Sequence, residues 1–600
     1  MLGVPAFILV ALVFWSFGDR LSRWARLRTE SAAGRFAFSS ALSYGALTLL
    51  MFVLAVFRLV SFASCLGLLA AMAALSLPDL RANVMQLLQA IRQTAWKRLL
   101  WPGRDWEAWA VWLSGAIVVL GALQALAPVT GMDAGRMHFA APKIMLGEHG
   151  LSARPEVWFH RTGGFYLVYL FGFALQGEAL AKLLSFGVSP LALLLAASAS
   201  HRLAPGSGRK AAAAVALTPL FTGFTGYEYL ELPILMYVLA AFLAFHRYRT
   251  EGGWGWAIAA ATLSGFALGV KITAFPVLVF IIPLVLEAVR REGRKAALPI
   301  LLGALGFSIA AGFWPIWNRL TIGSFVHHDY LNVSWTDTPK AGLESRWIAG
   351  IFFALGSLAT TSEYWIDSAG PFVLASLFGV VFFRVPKEYR LPSLLIAGAV
   401  TFYLAVLAIQ MPFYLWIDGH ARYLGPFLLG FGALAAGPFL AWVEPRSRLL
   451  RACLIVGLLL PAAPLLALKA GKAAVAAPAA FGLESRSHYL AKKIETFEAC
   501  EILNKLPDPD VKVLFIAQRP YYLDRPMMPE QFWLGLGNRE DLLLRIRKLG
   551  TTHVLVEPDA WGDWFGQQSE AVFGSAPFRE IGRWPWKQNR WVRLYVVEKP

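Results

Sequence analysis

Between Trp254 and Val289 the chain reads WGWAIAAATLSGFALGVKITAFPVLVFIIPLVLEAV, 36 residues whose only charges are Lys271 and Glu287. As one helix this run would measure ~54 Å against a hydrocarbon core of ~30 Å, so the chain must turn within it. The turn is expected near Lys271 to Pro276, which makes two crossings of the run and sets Lys271 at a membrane interface. The composition agrees with repeated crossing: 57% hydrophobic residues and a mean hydropathy of +0.54 over 600 residues exceed what one soluble core can hide.

A formal charge of +17 in a soluble chain would suggest nucleic acid as a partner, so its distribution decides what it means. The basic residues gather in short loops: Arg20, Arg23, Arg26, Arg28 and Arg35; Arg81, Arg92, Lys97, Arg98 and Arg104; Arg202, Arg209 and Lys210; Arg247 and Arg249; Arg290, Arg291, Arg294 and Lys295; Arg384, Lys387 and Arg390; Arg446, Arg448 and Arg451. With every one of these loops cytoplasmic, as the positive-inside rule expects, the apolar segments between them cross in pairs throughout. Topology accounts for the charge, and no nucleic acid is implied.

Crossings are expected at about 1–17, 36–56, 59–77, 107–127, 178–201, 210–224, 228–246, 254–270, 272–289, 297–316, 370–384, 391–410, 421–442 and 451–468. The fold class is a polytopic α-helical membrane protein of about fourteen transmembrane helices with a small C-terminal soluble α/β domain. The first apolar run lacks a basic leader and is followed by five arginines, so it reads as a retained anchor with its start outside. Extra N-terminal helices fill 1–104, a core spans 105–468, and the soluble domain spans 469–600. Segments 128–177, 317–369, 411–420 and everything after about 469 face the periplasm or cell exterior. Cys65, Cys453 and Cys500 are too few and scattered for a disulfide framework or metal site.

A transporter or channel would place ionisable residues deep in its spans, where each costs ~2.5–3.5 kcal/mol on insertion scales and marks a pathway. Here the informative polar residues gather at the outer ends of helices and in the long outer loops, which suits an enzyme at the membrane surface. The first of these loops contains Gly131-Met-Asp-Ala-Gly-Arg-Met-His-Phe-Ala-Ala-Pro-Lys143. From Asp133 to Met145 the apolar Met137, Ala140, Ala141, Ile144 and Met145 recur at helical spacing, so a helix lying in the interface is expected. Asp133 is either its N-cap, bonding the N–H of Gly135 or Arg136, or a catalytic carboxylate.

Four motif blocks of this chain together resemble the GT-C superfamily of integral membrane glycosyltransferases, closest to the aminoarabinose-transferase and protein O-mannosyltransferase branch. The first is Asp133, Ala134, His138, Pro142 and Lys143 followed by Glu148, His149 and Gly150, with Met137 standing where that group has tyrosine. The second is Tyr229-Leu-Glu231-Leu-Pro233, with glutamate in place of aspartate. The third is Gly265-Phe-Ala-Leu-Gly269-Val-Lys271-Ile-Thr273-Ala-Phe-Pro276, and the fourth Arg422-Tyr423-Leu-Gly-Pro426. The resemblance covers about residues 105 to 468.

It implies a sugar transferred from a polyprenyl-phosphate carrier to a lipid, glycan or protein acceptor, with Asp133 where these enzymes keep their catalytic carboxylate. The chemistry needs a base for the acceptor and cations for the departing phosphate. A single displacement inverts the anomeric carbon, whereas retention would require a second carboxylate as nucleophile, for which Glu148 and Glu231 are the nearby acids. Lys271 meets a lipid phosphate as a point charge or merely snorkels. Arg422 grips phosphate with its planar fork or anchors at the interface beside Tyr423. Lys143 belongs to the same substrate-binding set; His138 and His420 orient substrate or are solvated or capping histidines. His327-His328-Asp329 point in different directions without a spaced third ligand, and Asp133 has no Asp-x-Asp neighbour, so a metal-independent reaction without cofactor is expected. The rival readings are a transporter or flippase of a lipid-linked glycan, and an oligosaccharide ligase with a pyrophosphate donor.

The loop 317–369 is expected to hold a surface-lying helix near Trp347. After a linker at Lys469 to Val475, a helix is expected over His488–Leu506, a strand over Val511–Ala517, a helix over Asn538–Leu549, and strands over Thr552–Val556 and Trp591–Glu598. This domain is expected to cover the site or touch the acceptor. Arg519, Tyr521 and Tyr522 bind sugar or form a packed loop.

Overall fold

The computed structural model describes residues 3–27, 31–93, 106–153, 157–160, 163–325, 391–392, 394–395, 420–460, 462–517, 519–528, 539–557, 572–585 and 591–598. The helices are α1 (Gly3–Trp24), α2 (Ala32–Val56), α3 (Phe62–Leu75), α4 (Leu77–Gln93), α5 (Trp106–Leu126), α6 (Ala140–Gly147), α7 (Tyr166–Gln176), α8 (Glu178–Leu203), α9 (Gly208–Ala216) and α10 (Pro219–Phe224). They continue with α11 (Glu231–Glu251), α12 (Trp254–Val270), α13 (Leu278–Glu292), α14 (Ala297–Ile322), α15 (His420–Val443), α16 (Arg448–Leu459), α17 (Ala462–Ala480), α18 (Arg486–Lys493), α19 (Phe497–Lys505) and α20 (Arg539–Leu549). Among the described residues, seven segments are long and apolar enough to cross a membrane, or eight if the bent pair α3 and α4 forms one span. The expected crossing 370–384, most of 391–410, the histidine pair at 327–328 and the helix near Trp347 lie outside the described residues.

The 36-residue run breaks where its length requires. Lys271 ends α12 in an extended conformation, φ −159° and ψ 135°, and a 3₁₀ turn over Ile272–Val277 leads into α13. The glycines before it have a packing reason: a Cβ on Gly265 or Gly269 would collide with the carbonyl oxygens of Phe307 or Ala310 on α14. Small residues four apart let two apolar helices approach backbone to backbone, which is how helices associate where no water drives them together.

Several expected boundaries shift. Segment 210–224 is two helices, α9 and α10, broken at Thr218, whose hydroxyl caps α10 ahead of Pro219. Segment 128–177 is no open loop, since α7 is buried along most of its length and folds back on α8 through Gly177 at φ 80°. The linker read at Lys469–Val475 is helical as part of α17, whose alanines favour helix and whose Lys469 is buried.

The two ends of the bundle separate cleanly. At one end, Arg20 lies 3.1 Å from Asp79, Lys210 lies 2.5 Å from Glu107 and 3.1 Å from Glu444, and Arg202 pairs with Glu251, so the basic loops meet each other. At the other end, Gly3 abuts Ala179, and the chain after α5 meets the starts of α8 and α11 and the C-terminal domain. The described basic loops thus gather at one end of the bundle.

The C-terminal domain is a mixed five-stranded sheet of order β2-β1-β3-β5-β4, formed by β1 (Val513–Ile516), β2 (Met527–Met528), β3 (His553–Val556), β4 (Phe578–Pro585) and β5 (Trp591–Val597). The edge strand β4 was not foreseen, and the helix expected over His488–Leu506 is broken into α18 and α19. Alternation along the strands serves two cores. Leu514, Ile516, Val554 and Val556 face α20, while Val513, Phe515, Leu555 and Leu594 join the apolar core that runs into the helical bundle.

Candidate functional site

Three side chains fix where the loop carrying Asp133 begins. Carbonyls at the end of α5 and just beyond it need donors that the helix no longer supplies. The buried Lys182 of α8 donates to Gln124 O at 3.2 Å, which also accepts from the Ala127 N–H, and to Ala127 O at 2.6 Å. Its ammonium also lies 3.0 Å from Glu228, which is 1% exposed and whose carboxylate faces Gly131. Two residues after Ala127, the Val129 N–H donates to Glu178 at 2.9 Å.

Asp133 then leads into a π-helical turn, Ala134–His138, followed by α6. The capping reading is corrected here. Asp133 has helical φ −62° and ψ −33° and makes no side-chain cap bond, because capping requires an extended residue whose side chain folds over the next N–H groups. The residue is half-buried. The interfacial helix is also corrected: Met137, Ala140, Ala141 and Met145 are core residues beneath the C-terminal domain, facing protein where lipid was expected.

His138 is buried with Nδ1 2.9 Å from the Tyr166 hydroxyl, and its ring lies 6.3 Å from that of Tyr229, which stacks on Phe224 at 4.5 Å. Two residues beyond Tyr229, Glu231 is 1% exposed and accepts from Lys271 Nζ at 2.9 Å. Blocks separated by nearly a hundred residues thus share one end of the bundle. Gly164 donates to Gly269 O at 2.9 Å, and Asn318 holds His160, tying the same loop to the ends of α12 and α14. Helix α15 starts at His420 and carries Arg422 and Tyr423; their side chains lie outside the described residues.

Two expected substrate-binding residues have other partners. Lys143 donates to Tyr521 O at 2.6 Å, lies 2.5 Å from Asp524 and sits over the Tyr521 ring, so it fastens the loop to the C-terminal domain. Glu148 accepts from the nearby Ser152 hydroxyl just after α6. Of the alternatives for Tyr521 and Tyr522, the packed loop is what the structure contains: Tyr522 donates to Val129 O, and Tyr521 donates to Glu178 at 2.7 Å. Arg519 covers Gly135 and pairs with Glu495 at 3.1 Å.

Sequence reasoning missed Lys182, Glu228, Glu178 and Arg486. Arg486 grips Glu178 with two bonds of 3.2 and 2.6 Å. Burial opposes the Arg486 charge, yet the hydrogen bonds and charge of Glu178 outweigh it and raise its pKa. Burial, then the Glu178 charge, push the Tyr521 phenol far up, so it remains a donor. The available signal was Lys182, an ionisable residue one turn inside an apolar span. A cavity of about 690 Å³ among His201, Arg202, Arg209 and Arg247 lies at the opposite end and holds none of the expected site residues.

No protein-family model and no curated protein matches the chain. Among solved structures it is similar to ArnT from Cupriavidus metallidurans in the apo state, at 15% identity and a TM-score of 0.49, over 82% of this chain and 99% of that one. It is likewise similar to the same protein bound to undecaprenyl phosphate, at 16% identity and a TM-score of 0.47, with the same coverage.

Proposed function

We propose that the chain is an inverting glycosyltransferase that moves a sugar from a polyprenyl-phosphate carrier to a lipid, glycan or protein acceptor on the outer face of a bacterial-type inner membrane. One observation carries the reading. Three of the four motif blocks, far apart in sequence, meet at the same end of the bundle, with Tyr229 beside His138 and Glu231 holding Lys271.

In this scheme Asp133 takes the proton from the acceptor hydroxyl or amine as the acceptor attacks the anomeric carbon. The bond from that carbon to the carrier phosphate oxygen breaks, and polyprenyl phosphate leaves with the bonding pair. Lys271, steadied by the buried Glu231, meets the phosphate charge, and Arg422 supplies a second cation. Because the acceptor attacks opposite the leaving phosphate, configuration inverts. No step requires a metal.

Purified protein in lipid, supplied with a polyprenyl-phosphate sugar and candidate acceptors, tests this. Asp133→Asn is expected to lower transfer by about 10²–10⁴-fold, the usual worth of a general base, with the melting transition unchanged. Wild-type transfer by that variant overturns the scheme. Translocation of a lipid-linked glycan without any transfer identifies a flippase instead.

A further inference from the structure

Helix α4 departs from α3 by 81°, at the end of the bundle opposite Asp133. A bend of that size turns α4 away from the axis of the apolar α3 and toward the membrane plane. The polar face of α4 is anchored: Asp79 pairs with Arg20 and Arg23, Asn83 donates to Asp19 at 2.9 Å, and Gln86 accepts from Arg35. Its other side carries Leu77, Met85, Leu87, Leu88 and Ile91, all exposed at 37–62%. Arg81 and Arg92 are exposed on one flank of that side, at helical spacing between Leu88 and Met85, and Arg23 and Trp24 on the neighbouring end of α1 are exposed too. The only carboxylate of α4, Asp79, is buried and paired, so the exposed surface of the helix carries apolar side chains, two cations and neutral glutamines, and no free acid.

We propose that α4 is an interfacial strut that lies in the leaflet opposite the Asp133 loop and binds anionic phospholipid headgroups through Arg81 and Arg92. An amphipathic helix with a basic border buries its apolar side at the headgroup and acyl boundary, and each cation near an anionic surface adds attraction. Continuity with the apolar α3 puts the helix at membrane depth, and the charge favours anionic lipid over a protein groove. The inference rests on the membrane-spanning reading and is independent of the transfer reaction.

The full chain in lipid nanodiscs tests it. In a Cys453→Ser background, where Cys65 and Cys500 remain buried, Leu88→Cys and Ile91→Cys are labelled with a fluorophore. Quenching by lipid-borne nitroxide several-fold stronger than by aqueous iodide is expected. Stronger iodide quenching, or shielding from both quenchers by a second copy or a bound protein, overturns the strut. The headgroup arm compares phosphatidylcholine with mixed phosphatidylcholine and phosphatidylglycerol. Wild type is expected to melt higher in the mixture, and the Arg81→Gln, Arg92→Gln variant to lose that rise while melting normally in phosphatidylcholine. An equal rise in both proteins overturns the headgroup role.

Discussion

The two ends of the bundle both bury ion pairs, and they differ in what else surrounds them. Around the Asp133 loop, carboxylates that are buried or nearly so anchor ion pairs between distant elements: Glu228 holds Lys182, which joins α5 to α8, Glu231 joins α11 to Lys271, and Glu178 joins α8 to Arg486 of the C-terminal domain. At the basic end, beside the buried Asp79, Lys210 and Arg247, there are also exposed and local contacts, as in Glu287 with Arg290 and Arg291 one turn away. Buried charges are costly to desolvate and persist where geometry matters, whereas exposed ones mark which side of the membrane a loop occupies. One end holds a loop in place, and the other adds exposed local contacts to its buried pairs.

The sharpest break of this comparison is Lys182→Met. It strands the buried Glu228 and removes the Lys182 bonds to Gln124 O and Ala127 O, and a loss of about 3–5 kcal/mol of stability is expected. The melting midpoint in lipid measures it. Adding Glu228→Leu should restore much of that stability, because removing both charges also removes their desolvation cost; failure of the double variant to recover would show that the carbonyl bonds dominate.

A smaller effect is expected for Arg486→Ala. The arginine is half exposed, so losing its two bonds to Glu178 should cost about 1 kcal/mol and speed proteolysis between Ala480 and Ser485. Unchanged cleavage would mean that the apolar core shared with the sheet alone holds the domain. The smallest effect belongs to Arg290→Gln at the basic end, where the melting midpoint should stay at the wild-type value. A clear drop there would erase the distinction between the ends.

Lys271 was legible from length alone, because 36 apolar residues cannot form one crossing and the only cation within them marks the bend. The strands at 513–516, 553–556 and 591–597 were legible as short apolar runs between turns. Strand β4 was not, since its alternating charged residues on an exposed sheet edge give no apolar run to read. The residues that clamp the Asp133 loop were equally hidden. Glu178 and Lys182 lie in an ordinary helix start, and nothing local reveals that Val129, Tyr521 and Glu228 will reach them.

The sequence by itself determined that the chain carries many apolar segments suited to a membrane and that the longest of them must break near Lys271. Hydrophobic length and charge alternation act locally against the bilayer, so they can be read residue by residue. Only the tertiary structure decided that Asp133 does not cap its turn, that Lys143 fastens a domain, and that Glu231 pairs with Lys271. Those outcomes depend on which partners arrive from distant segments, and a buried charge takes its role from the partner that packing brings to it.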